Sequence, residues 1–80
     1  MQRWTTEYKG NKITVENQLY SEKLIVNEEL QDELIGVTER SRLWGHLPSG
    51  EVIKVSVGGD HYKIHCRIFI DDKLVFSDSI

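Results

Sequence analysis

Alanine is missing altogether from the 80 residues, and cysteine, proline and methionine occur once each. Alanine is the strongest helix former, so its absence beside eight Ile, seven Val and four Thr turns the composition toward strands. The single cysteine, Cys66, can form no internal disulfide and can build no thiolate metal cage, which fits a reducing compartment. No unbroken apolar run exceeds three residues, against the ~18 of a membrane-spanning helix, and Met1-Gln2-Arg3-Trp4-Thr5-Thr6-Glu7 does not read as a secretion signal. A cytoplasmic protein without a membrane partner is therefore expected. Positive charge is also in short supply: ten Lys and Arg face thirteen Asp and Glu, and the deficit falls wholly in residues 1–40. A nucleic-acid backbone requires several cations on one surface, so no nucleic-acid partner is expected.

What is present describes one small all-β domain spanning residues 1–80. A chain of this size buries only about 60% of its unfolded surface, so it needs nearly every apolar residue for its core. Turn-forming clusters at close spacing (Gly10-Asn11, Asn27-Glu28, Pro48-Ser49-Gly50, Gly58-Gly59-Asp60 and Asp71-Asp72) separate short apolar stretches. They delimit eight strands at 3–8, 12–17, 23–26, 30–37, 41–47, 51–57, 61–70 and 73–78. Period-two alternation is clearest in 61–70, where Tyr62, Ile64, Cys66, Ile68 and Ile70 share one face, and in 51–57, where Ile53, Val55 and Val57 do. These residues, with Ile13 and Val15, are the expected core. Gly58-Gly59 is expected to supply the positive φ of a tight hairpin between those two strands, and Pro48 to open a turn that Gly50 closes. The fold class is a small antiparallel meander forming a two-sheet sandwich or flattened barrel.

One segment supports a competing reading. Over 27–35 Asn27 could cap a helix, Glu28 and Glu29 suit its first turn, Leu30 and Leu34 stack at i,i+4, and Gly36 ends it. An internal repeat is also visible: Lys23-Leu24-Ile25-Val26-Asn27-Glu28-Glu29-Leu30 matches Arg67-Ile68-Phe69-Ile70-Asp71-Asp72-Lys73-Leu74 type for type, both as hairpins.

These hairpins, with the aromatic-rich opening Trp4-Thr5-Thr6-Glu7-Tyr8-Lys9-Gly10, resemble the Fas apoptotic inhibitory molecule family over residues 4–17, 23–30 and 62–76. The resemblance implies a β-sandwich with no enzymatic role, acting in regulation and protein protection through contacts with other proteins. It carries no functional residue over to this chain.

Chemical motifs are sparse. His61 and His65 have a spacing that would converge on a helix, but on a strand their Cβ atoms lie roughly 13 Å apart, too far for one metal ion. The alternative to a binding role is a small metal-binding protein or hydrolase built on His46, His61 and Asp60. Cys66 falls on the core face, where a thiol packs as a small hydrophobe. No serine sits in a nucleophile elbow, and no glycine-rich phosphate loop opens a helix. The outward stripe His61, Lys63, His65, Arg67 can face an anionic ligand or an acidic partner.

The strongest functional pointer is the last hairpin. If Asp71-Asp72 is its two-residue turn, Ile70 pairs with Lys73, Phe69 with Leu74, Ile68 with Val75 and Arg67 with Phe76. Phe69, Leu74 and Phe76 then share the face opposite the isoleucines and need cover from the rest of the domain, a second subunit or a partner. Trp44 lies on one parity with Arg42 and His46. The expected protein contact is therefore Trp44, Arg67, Phe69, Leu74 and Phe76. The expected function is a non-catalytic interaction module without cofactor or metal, with a protein partner or self-association as a homodimer through the C-terminal hairpin.

Overall fold

A computed structural model of the chain describes residues 1–36, 40–59 and 63–78. Short β-branched stretches between turn residues give eight strands: β1 (Gln2–Tyr8), β2 (Asn11–Asn17), β3 (Ser21–Val26), β4 (Glu29–Ile35), β5 (Arg40–His46), β6 (Val52–Gly59), β7 (Ile64–Ile70) and β8 (Lys73–Ser77). They form two four-stranded antiparallel meanders, β1-β2-β3-β4 and β5-β6-β7-β8, packed face to face. The shortest dimension of the molecule, 17 Å, is that of two sheets about 10 Å apart with their outer side chains.

Turn chemistry sets the registers. Lys9-Gly10, Asn27-Glu28 and Asp71-Asp72 each place two successive residues at positive φ, which two-residue hairpins require to match strand twist. The Asx residue at the latter two turns has a second task. Asn27 donates its N–H to Lys12 O at 2.8 Å and accepts the Lys12 N–H on Oδ1 at 3.0 Å. Asp71 repeats this with Val52, both bonds at 2.9 Å. Each turn thereby extends the neighbouring strand's ladder. Leu47-Pro48-Ser49-Gly50 closes by a 2.9 Å bond from Gly50 N to Leu47 O, with Gly50 at φ 97°, as the proline and glycine predict.

The repeat seen in eight residues extends to all eight strands. The cross-strand series Trp4–Val15–Leu24–Asp32 in the first sheet corresponds to Leu43–Val55–Ile68–Phe76 in the second, and Thr6–Ile13–Val26–Glu29 to Gly45–Ile53–Ile70–Lys73. Even the irregularities recur: the β3–β4 register shifts after Leu24 and the β7–β8 register after Ile68, leaving Gln31 and Val75 as the extra residues. The two sheets thus share one strand layout, one pattern of register and one bulge position.

The core lies between the sheets. Ile13, Val15, Ile53, Val55, Val57, Cys66, Ile68 and Ile70 are buried as expected, joined by Trp4, Leu24, Val26, Leu43 and Leu47; Ile64 is half-buried against them. Tyr62 lies outside the described residues. Trp4 donates its indole N–H to Asp78 Oδ2 at 2.6 Å, while Asp78 Oδ1 accepts the Cys66 amide at 2.7 Å, tying the first sheet to the end of the second.

Two expectations need correction, the Gly58-Gly59 turn and the far pairs of the last hairpin, and the competing helix is excluded. The helix over 27–35 does not form: Asn27 and Glu28 have φ of 50° and 67°, which no helix start adopts, and Glu29–Ile35 pairs along β3 instead. Gly58 and Gly59 supply no turn; they extend β6 opposite His65 and Ile64, and neither has a left-handed φ. The strand expected at 61–70 is described only from Ile64. In the last hairpin Ile70 pairs with Lys73 and Phe69 with Leu74 as expected, but the bulge then pairs Ile68 with Phe76 and Arg67 with Ser77.

The bulge in β4 also completes the neighbouring sheet edge. The Gln31 amide donates to His46 O at 2.8 Å and accepts the His46 N–H at 2.7 Å, and Asp32 accepts the Trp44 N–H at 2.9 Å. Two side chains thus occupy edge positions on β5 that a further strand would otherwise seek.

Candidate functional site on the outer face of the second sheet

Each outward-facing row of a sheet is fixed by its register. On β5–β8 one such row reads Trp44, Lys54, Phe69, Leu74, in contact order across all four strands. Trp44 and Leu74 are each 50% exposed, Phe69 is half-buried, and Val52 lies exposed beside them. The Lys54 ammonium sits 5.3 Å from the Trp44 ring centroid and 5.9 Å from that of Phe69, with the Asp72 carboxylate 3.4 Å away. A cation held between two ring faces keeps the aromatics apart and upright. The result is a firm amphipathic strip, without a nucleophile or an acid–base pair.

Four of the five expected contact residues remain on this face, since Arg67 lies exposed in the adjoining row. Phe76 does not: the extra residue Val75 turns it inward, and it packs half-buried against the core. Sequence alternation alone could not reveal that inversion. Trp4 does not cover the row either, because it is buried between the sheets.

The adjoining row shows what distinguishes the two units. In the first sheet it reads Arg3, Glu16, Lys23, Glu33, alternating in charge. Arg3 grips Glu16 there, Nε to Oε2 at 3.0 Å, and Glu16 is only 8% exposed. In the second sheet the same row reads Arg42, Ser56, Arg67, Ser77. Both acids are replaced by serine. An open depression of about 180 Å³ lies here, lined by Arg40, Ser56, Gly58, Gly59, His65 and Arg67. His65 Nδ1 is 3.8 Å from the Asp78 carboxylate behind it.

The residues of the alternative enzymatic reading do not form a described site. His46 ends β5 with its backbone held by Gln31, while His61 and Asp60 lie outside the described residues. Among the described residues no group of three or more His, Cys, Asp and Glu could hold a metal ion. Cys66 is fully buried, and burial, then the charges of Asp78 and Glu22, push its thiol up to about 12. No described helix is long and apolar enough to cross a membrane.

A second exposed apolar group went unnoticed in the sequence: Met1, Leu19, Tyr20 and Ile35, at one end of the first sheet. The turn residues Leu19 and Tyr20 carry no alternation to flag them. Comparison with family models, curated proteins and solved structures finds no match to this chain.

Proposed function

We propose that the chain is a small non-catalytic binding module that contacts a protein partner through the outer face of β5–β8. Trp44, Phe69 and Leu74 serve as apolar anchors, with Lys54 among them and Arg67 alongside. The observation that carries this reading is the Trp44–Lys54–Phe69–Leu74 row, whose counterpart in the first sheet is Thr5–Thr14–Ile25–Leu30. The second unit has aromatic rings where the first has a hydroxyl and an isoleucine. Rings on a four-stranded ladder lose little freedom on docking, and tryptophan is among the residues that most often anchor interfaces. The hairpin rhythm shared with the Fas apoptotic inhibitory molecule family points the same way. A second copy of this chain is the other occupant this face could take, because its C-terminal hairpin supplies half the row. A free, buried thiol suits the cytosol as the place of action.

The test compares immobilised wild type with Trp44→Asp and Leu74→Asp, each first shown to keep the native circular dichroism spectrum, for proteins retained from a cell extract. The free chains are sedimented in parallel at high concentration. A partner, or a second copy, held by wild type and lost by both variants is the expected result. Identical retention by all three, with wild type sedimenting only at 9.3 kDa, removes the reading.

A further inference from the structure

Because the two sheets share one layout and register pattern, the first shows what the geometry of the second accepts. Between Arg3 on β1 and Lys23 on β3 the first sheet places the Glu16 carboxylate, which Arg3 binds through Nε and Nη2. The equivalent position between Arg42 on β5 and Arg67 on β7 holds Ser56, which is uncharged and has three side-chain heavy atoms fewer than glutamate. The flanking backbones are two strand spacings apart, roughly 9.5–10 Å, which leaves room for one oxyanion between two guanidinium groups. Arg40 adds a third guanidinium at the rim of the depression, and Gly58 and Gly59 give its floor no side chains.

We infer that the depression lined by Arg40, Ser56 and Arg67, with Arg42 paired across the strands from Ser56, binds an oxyanion, a carboxylate or a phosphoryl group, at the register position that Glu16 fills in the first sheet. Arginine forks match either group in a bidentate manner, and the Ser56 hydroxyl can donate a further bond. Arg67 and His65 already make interactions within the chain, so the ligand joins an existing network. The inference is independent of the aromatic row, because its ligands can be small ions.

Amide NMR titrations of the full chain with inorganic phosphate and, separately, with acetate test it. The expected result is saturable shifts centred on Ser56, Gly58 and Arg67, and the ion that saturates at lower concentration identifies the group recognised. Ser56→Glu installs the first unit's own carboxylate and is expected to weaken binding about tenfold or more, the scale of one charge-assisted hydrogen bond. Arg42→Gln, a surface change that keeps the strand intact, is expected to weaken it in the same direction. The inference is overturned if neither ion gives localised, saturable shifts, or if folded Ser56→Glu and Arg42→Gln both bind as wild type does.

Discussion

Gly45 offers a quantitative check on how the two units are joined. It faces inward from β5, and a Cβ built there collides with Gln31 Oε1 and comes within 3.0 Å of Leu24 Cδ2. Gly45→Ala must therefore displace the Gln31 amide from the His46 backbone, losing the bonds of 2.8 and 2.7 Å. Two partly exposed hydrogen bonds at ~0.5–1 kcal/mol each put the loss at about 1–2 kcal/mol, offset by about 0.5 kcal/mol from stiffening the unfolded chain. Gln31→Ala removes the same bonds without a collision and is expected to cost about 1–2 kcal/mol. The two losses are one event, so in the Gln31→Ala background Gly45→Ala is expected to be nearly neutral, a coupling of about 1 kcal/mol. Urea unfolding followed by tryptophan fluorescence measures all four corners of the cycle. Additive losses would refute the edge-capping role of Gln31, because they would mean that the alanine methyl and the amide act on different parts of the structure.

Other outcomes follow from the same geometry. Glu28→Gly relieves a left-handed non-glycine residue at φ 67° and creates the favoured Asn-Gly hairpin turn, so thermal melting is expected to show a gain of about 0.5–1 kcal/mol. Asp78→Ala leaves the Trp4 indole and the Cys66 amide unpaired and is expected to cost about 2–3 kcal/mol in denaturant unfolding. The Cys66 thiol stays protonated in the folded chain up to about pH 12 but ionises in the unfolded chain near its ordinary value, so its contribution is full below that value and is lost as pH rises. Stability should then fall by up to about 1.4 kcal/mol per pH unit in that window, a slope that Cys66→Val removes and that unfolding at stepped pH can detect. The same burial should keep Cys66 from reacting with a thiol reagent until urea unfolds the chain.

The all-β sandwich and most turns were legible because alternation in 51–57 and 64–70 is unbroken and because Asn27, Pro48 and Asp71 mark positions with special backbone demands. Trp44 shares the parity of Arg42 and His46 and stands half exposed on the outer face, although parity alone left a core anchor as the competing reading. The two bulges were not legible, since Gln31 and Val75 differ in no local way from their neighbours, and each inverts the parity beyond it. That inversion moved Phe76 inward and aimed Asp32 at β5. The full repeat was hidden for a different reason: Val15 pairs with Leu24 but Val55 with Ile68, so the path between the middle strands is four residues longer in the second unit. Only the hairpins beyond it, 23–30 and 67–74, stayed in frame, and the Glu16–Ser56 correspondence that defines the oxyanion depression needs the register to be seen.

The proposed working face is that of the second sheet, and not the first. Hydrogen exchange of the chain, free and bound to whatever the wild type retains, measures that directly. New protection confined to β5–β8, strongest around Trp44, Lys54, Phe69 and Leu74, is the expected pattern; protection confined to β1–β4, or to the Leu19, Tyr20 and Ile35 end of the first sheet, would contradict it.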